Sequence, residues 1–377
     1  MTSAPARDTH PSVQPLFEPL ALGDVTLDNR FVMAPMTRSA SPGGVPGEDV
    51  AAYYARRAAG GVGLVITEGV TVDHPAASNG TAVPRFHGED ALGGWSRVVE
   101  EVHRAGGKIF PQLWHVGADR HGADLPHPDA TPVSPSGLLN LQTSNGEPLT
   151  QRGIDELVAA FARAAADARR TGFDGIELHG AHGYLIDQFL WQGTNRRTDL
   201  YGGGLRKRAR FAAEVVAACR DAVGSGFPIV FRLSQWKITD FSAQLAATPQ
   251  ELEELLAPLA EAGVDAFHCS TRRFWLPEFG DSGPGLAGWV KKVSGLPTIT
   301  VGSVGLDNSE FQTALLEGKG AANAPLDPLV ERFLAGEFDL VAVGRALLGD
   351  PEWVAKVREA RTDELKPFDA SALQDLH

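Results

Sequence analysis

The chain has 377 residues, 43% of them hydrophobic and 21% charged, with a formal net charge of −13. That acidity argues against a partner held through nucleic-acid phosphates and against a polybasic membrane anchor. Its two cysteines, Cys219 and Cys269, are too few for a disulfide framework or an iron–sulfur cluster, and they fit a reducing compartment.

Residues 1–15 are polar and proline-containing, so a disordered leader is expected there. They lack the basic start and apolar run of a signal peptide, and no later stretch has the apolar length of a membrane span. The expectation is a soluble, cytoplasmic protein. Gly23-Asp24-Val25-Thr26-Leu27-Asp28-Asn29 then carries a hairpin pattern. Short apolar runs follow at 30–34, 62–67, 108–111, 175–178, 228–231, 264–268, 297–301 and 339–343. Between them, alanine and leucine recur at helical spacing over 49–59, 91–105, 154–171, 205–223 and 249–262, with less regular stretches before Pro297 and Phe338. Several of these end at glycine, as at Gly106, Gly172 and Gly263.

Fully apolar strands alternating with helices predict a parallel sheet covered on both faces. Eight such units predict a closed (β/α)8 TIM barrel, whose N-terminal end the hairpin would plug. No G-x-G-x-x-G follows the first strand, which disfavours a dinucleotide-binding open sheet. Residues 117–150 form a long insertion after strand three, rich in Pro, Gly, Ser and Asp, expected to overhang the catalytic face. The expected organisation is one barrel domain over 16–361 and a tail over 362–377.

Residues at the C-terminal ends of barrel strands carry the chemistry of this architecture. The fourth run leads into His179-Gly180-Ala181-His182, with Tyr184 two residues on. Neutral imidazoles donate hydrogen bonds to a carbonyl oxygen, and a phenol is a weak acid beside it. His-x-x-His is also half of a zinc site, but no nearby Glu or Cys supplies an obvious third ligand. A hydrogen-bonded structural histidine is the plainer alternative.

Other strand ends add Ala34-Pro35-Met36-Thr37, Thr67-Glu68-Gly69, Gln112-Leu113-Trp114, Phe231-Arg232-Leu233-Ser234, Val301-Gly302 and Val343-Gly344-Arg345. Past the His pair come Asp187-Gln188-Phe189-Leu190 and Asn195-Arg196-Arg197-Thr198-Asp199-Leu200-Tyr201-Gly202-Gly203. In this order, over about residues 16–357, the pieces resemble the Old Yellow Enzyme family, the FMN-dependent NAD(P)H ene reductases of 12-oxophytodienoate reductase type.

The resemblance implies tightly bound FMN, NAD(P)H as hydride donor, and a small activated alkene as substrate in a ping-pong reaction. Arg232 would supply positive charge near the flavin N1 and C2=O, Gln112 would bond the pyrimidine edge, and Thr37 would bond O4. Ala34, Pro35, Met36 and Gly69 would line the ring, and His179 would border it. Gly302, Ser303, Gly344 and Arg345 would hold the phosphate, at the ends of strands seven and eight. His179 and His182 would bind the substrate oxygen, and Tyr184 would protonate carbon. Trp114 and Trp275 would form pocket walls. His182 stands where many relatives have asparagine, and the segment 363–377 offers no aromatic that aligns with a known pocket residue. The resemblance leaves a homo-oligomer open. The competing expectations are a metal-dependent lyase and a flavin-bound ligand sensor on the same barrel.

Overall fold

In the computed structural model, which describes residues 12–307 and 318–377, eight parallel strands pair in chain order and close into a barrel. A hairpin comes first, β1 (Leu20–Leu22) antiparallel to β2 (Val25–Leu27). The first three barrel strands are β3 (Phe31–Met33), β4 (Leu64–Thr71) and β5 (Lys108–Trp114). A small side pair, β6 (Val133–Ser134) and β7 (Glu147–Pro148), interrupts the series. The barrel then continues through β8 (Ile176–His182), β9 (Ile229–Lys237), β10 (Ala266–Ser270), β11 (Thr298–Val301) and β12 (Leu340–Val343).

The helices sit where their caps and apolar stripes put them. α1 (Glu48–Ala59), α2 (Glu89–Arg104), α3 (Gln151–Arg170), α4 (Leu185–Leu190), α5 (Leu205–Val223), α6 (Pro249–Ala262) and α7 (Leu286–Ser294) are followed by shorter helices at Asp327–Leu334, Arg345–Gly349 and Trp353–Arg358. α3 starts because Thr150 Oγ1 accepts from the Gly153 amide, and it buries Ile154, Leu157, Phe161, Ala164, Ala165 and Ala168 on one face. α6 starts on Thr248 with Pro249 in its first turn and stops at Gly263, whose φ of 106° is left-handed. The helices and the outer faces of the strands share one large apolar cluster. A second cluster fills the barrel, where Leu22 and Leu27 of the hairpin pack with Leu64, Val230, Ile299 and Leu340. The hairpin thus plugs the N-terminal end, as its pattern predicts. No helix among the described residues is long and apolar enough to cross a membrane.

Three expectations change. The strands do not stop where hydrocarbon stops: β4, β5, β8 and β9 run on to Thr71, Trp114, His182 and Lys237. His179 and His182 therefore lie on the strand instead of after it. Ladder hydrogen bonds continue there under polar side chains that the barrel buries, so an apolarity pattern ends too early. The insertion 117–150 does not line the cavity at the C-terminal end of the barrel. Arg120 gathers it into a knot by donating to the carbonyls of Ser78, Pro126, His127 and Ala130, and Arg197 Nη1 ties its far end to Pro135 O and Leu149 O. Of the leader expected over 1–15, residues 1–11 lie outside the described residues, and Gln14–Phe17 already forms a 3-10 turn that buries Leu16. The tail, for its part, is docked: Ala321 and Phe368 exchange backbone hydrogen bonds, and Arg38 Nη2 donates to the carbonyls of Ala372, Leu373 and Asp375.

Candidate active site

A cavity of about 410 Å³ opens at the C-terminal ends of the strands. The loop after β3 contributes Ala34, Pro35, Met36 and Thr37; β4 contributes Gly69; β5 contributes Gln112 and Trp114. His179 and His182 of β8, Tyr184 just past them and Arg232 of β9 form the next wall. Gly302 and Ser303 follow β11, and Gly344 and Arg345 follow β12, completing the circle.

The His-Tyr group is held in a braced turn. His182 has φ 67° and Gly183 φ 87°, a left-handed pair at the strand's end. The His182 amide donates to Ser234 Oγ at 2.9 Å, and its carbonyl accepts from the Ile238 amide. Gly183 N donates to Asp187 Oδ2 at 2.6 Å, while Lys237 Nζ reaches Asp187 Oδ1 at 2.9 Å. Lys237 and Asp187 are both fully buried. The rings then meet edge to face: His179 lies 5.0 Å from both His182 and Tyr184, and Trp114 lies 4.9 Å from Tyr184.

Electrostatics keep this group uncharged. Burial first, then the neighbouring Arg232 guanidinium, pushes both histidines well below the usual imidazole range. The Ala181 amide donates to His179 Nδ1 at 3.4 Å, which leaves the proton of the neutral ring on Nε2. Arg232 Nη2 donates to Ser270 Oγ at 3.4 Å, and that hydroxyl lies 2.7 Å from His182 Nε2. Assigning that hydroxyl as the donor to Nε2 puts the His182 proton on Nδ1. Burial also raises the Tyr184 phenol well above its usual range, so it stays protonated through neutral pH. Two hydrogen-bond donors and one proton reservoir thus share one wall.

The opposite wall is positioned by Glu68. The β4–β5 register shifts between Ile66 and Gly69, and this bulge turns a carboxylate away from the ladder. Glu68 Oε2 accepts from the amides of Arg38 and Ser39, at 2.8 and 3.0 Å. The loop carrying Met36 and Thr37 is thereby fixed against β4. Glu68 Oε1 is buried without a partner, and burial pushes the pKa up to about 7.

The residues fit a flavin phosphate. Arg232, Arg272 and Arg345 line the cavity and, among the described residues, no carboxylate does, in a chain whose net charge is −13. Arg345 Nη2 donates to Ser303 Oγ at 3.3 Å, and Ser303 is held at φ 52°, which sets its main chain between strands seven and eight of the barrel. The Arg232 Nε is buried without a protein partner, as a donor awaiting an acceptor.

One expected wall is absent. Trp275 lies outside the cavity lining: it packs edge-on against Phe274 at 5.2 Å and against the outer core, and Arg332 Nη2 holds its carbonyl at 2.7 Å. Trp236 takes that place, 4.7 Å from the His182 ring, with its indole N–H donating to Ser270 O. Ile238, Phe241, Leu306, Leu348 and Leu373 add apolar surface that the sequence reading missed. Continued alternation through β9, Arg232 to Ser234 to Trp236, is the signal that marks the tryptophan. Leu373 arrives from the far end of the chain and leaves no local signal.

A sequence model of the NADH:flavin oxidoreductase / NADH oxidase family matches residues 15–321. The chain is 36% identical over 362 residues to an NADH oxidase of Thermoanaerobacter brockii, covering 93% of this chain and 52% of that protein. It therefore spans about half the length of that relative. It is 34% identical over 364 residues to 12-oxophytodienoate reductase 7 of Oryza sativa subsp. japonica, covering 91% of this chain and 88% of that one. The solved structure of morphinone reductase in complex with tetrahydroNAD matches with a TM-score of 0.79 at 31% identity, over 95% of this chain and 93% of that one.

Proposed function

Because the chain belongs to the Old Yellow Enzyme family, the NADH:flavin oxidoreductase / NADH oxidase family, we propose that it is an FMN-dependent ene reductase that uses NAD(P)H to reduce the C=C bond of α,β-unsaturated carbonyl or nitro compounds. The observation that carries this reading is the uncharged His179–His182–Tyr184 wall set across a cavity whose ionic groups, among the described residues, are all arginines.

When bound, FMN supplies the site through which a hydride passes from NAD(P)H to the alkene. The protein does the rest. Arg345, Ser303 and the backbone at Gly302 and Gly344 would hold the phosphate. Gln112 and Thr37 would hydrogen-bond the ring, and Arg232 would supply positive charge to it. His179 Nε2–H and His182 Nδ1–H receive the substrate's carbonyl or nitro oxygen and stabilise the negative charge that develops there. Tyr184 gives its proton to the carbon next to that group. Trp114 and Trp236 confine the substrate between them and exclude water. Nicotinamide and alkene use the same space in turn, so ping-pong kinetics follow.

The test is an anaerobic absorbance spectrum of FMN-loaded protein, with NADPH added and then 2-cyclohexenone. The expected result is a flavin spectrum that bleaches with NADPH and returns with the enone. A protein that takes up no FMN, or a reduced flavin that the enone does not reoxidise, overturns the reading.

A further inference from the structure

Just behind the cavity floor lies a carboxylate that the proposed reaction does not use. Glu177 of β8 stands in register with Gln112 of β5 and is fully buried. Its Oε1 accepts from Gln112 Nε2 at 2.7 Å. Its Oε2 lies 2.6 Å from Nδ1 of His268, a fully buried residue of β10 paired in register with Arg232. Burial depresses the His268 pKa, so its ring is neutral at pH 7 and its Nδ1–H donates to the carboxylate. Gln112 and Arg232 face the cavity, whereas Glu177 and His268 do not. Glu177 also helps the buried Arg232 stay charged.

Each of these contacts points the same way. A glutamine amide has two orientations, and a carboxylate oxygen at 2.7 Å permits only the one that presents Nε2. That leaves Gln112 Oε1 to accept from the cavity side. A negative charge this deep is little screened by salt, so it acts on any charge that forms above the floor. The bound flavin ring is neutral when oxidised and negative when reduced, and protein charges near it set its potential. Arg232 favours the reduced ring, and Glu177 opposes it from one layer below.

We propose that Glu177 is a positioning residue for the cofactor: it locks the Gln112 amide toward the pyrimidine edge and offsets Arg232, so that the reduced flavin is held weakly enough to give up its hydride. The proposal rests on the FMN reading above.

The experiment measures the midpoint potential of bound flavin by dye-equilibrated anaerobic reduction, and the dissociation constant of oxidised FMN, in wild type, Glu177→Gln and Glu177→Asp. E177Q is expected to move the oxidised-to-reduced equilibrium about tenfold toward the reduced form, about 30 mV for a two-electron couple. E177D keeps the charge and should stay within about threefold of wild type. Equal potentials in wild type and E177Q overturn the proposal, and so does an E177D shift as large as that of E177Q, which makes packing the cause. Should E177Q not fold, the pair R232M and E177L/R232M carries the test, since removing both buried charges together preserves stability better than removing one. The double variant is expected about tenfold further toward the reduced form than R232M, and no difference between them overturns the proposal. A wild type that takes up no FMN overturns the flavin reading, while FMN uptake with an unshifted E177Q overturns the Glu177 proposal alone.

Discussion

The lower and upper halves of the barrel interior both consist of buried side chains and are chemically opposite. Below, Leu22, Leu27, Leu64, Val230, Ile299 and Leu340 form a hydrocarbon plug. Above, β5, β8, β9 and β10 bury Gln112, Glu177, His179, Arg232 and His268. Burying apolar surface stabilises by about 25 cal/mol per Å², whereas each buried polar group costs free energy unless partners satisfy it. The upper half therefore needs braces, such as Lys237–Asp187, and tolerates the left-handed His182 only because they exist. The lower half does the stabilising, and the upper half is organised for chemistry.

The sharpest break of this contrast is Tyr184→Phe, which keeps the ring and removes the hydroxyl that carries the proton. The alkene half-reaction is expected to slow by about 10²- to 10⁴-fold, while NADPH still reduces the flavin within about threefold of the wild-type rate. Rapid mixing of each half-reaction separates the two. If flavin reduction slows equally, Tyr184 is not the proton donor.

Lys237→Met tests a brace. It leaves the Asp187 carboxylate buried without a counter-charge, in a pair 2.9 Å apart and fully enclosed. A loss of about 3–5 kcal/mol in denaturant unfolding is expected, with slower enone reduction as the Gly183 turn relaxes. Full stability in K237M would show that the pair braces nothing. Leu27→Ala is the matching change below. It should cost about 2–5 kcal/mol through the cavity it leaves, while FMN affinity and both half-reactions of the folded protein stay within about threefold. A specific loss of FMN binding in L27A would mean that the two halves are not separable.

The same contrast explains what the sequence makes legible. The plug, the eight strands and the covering helices follow from apolar period and capping, because hydrocarbon burial is what those patterns encode. The upper half is built from polar residues on unbroken strands, so β8 reads as ending at Leu178 although its ladder runs through His182. His179, His182, Tyr184 and Arg232 were nonetheless legible, because their chemical types cluster at strand ends. Trp275 misleads because a loop tryptophan beside a predicted strand end looks available, yet its position follows from Arg332, 57 residues further on, as well as from its neighbour Phe274. Glu177 hides for the opposite reason: one acid inside an apolar run gives no hint of its partners, Gln112 and His268, which are 65 and 91 residues away.

The mildest expected effect belongs to Glu68, which clamps the Thr37 loop to β4 at the upper end. Its pKa of about 7 exceeds the ordinary 4.5, chiefly because burial disfavours the charge. The folded state therefore binds the proton more tightly than the unfolded chain. This group's contribution to stability is complete below about pH 4.5 and is lost as pH rises through about 7. Glu68→Gln mimics the protonated acid: its Oε1 can still accept from Arg38 and Ser39, and its amide fills the place of the partnerless Oε1. Unfolding free energies of wild type and E68Q should then agree within about 1 kcal/mol at pH 5. At pH 8 the variant should be the more stable, since one group titrating in the wild type gives a slope of at most about 1.4 kcal/mol per pH unit. Parallel pH profiles would mean that Glu68 stays ionised throughout, held by the two amides more strongly than burial opposes it.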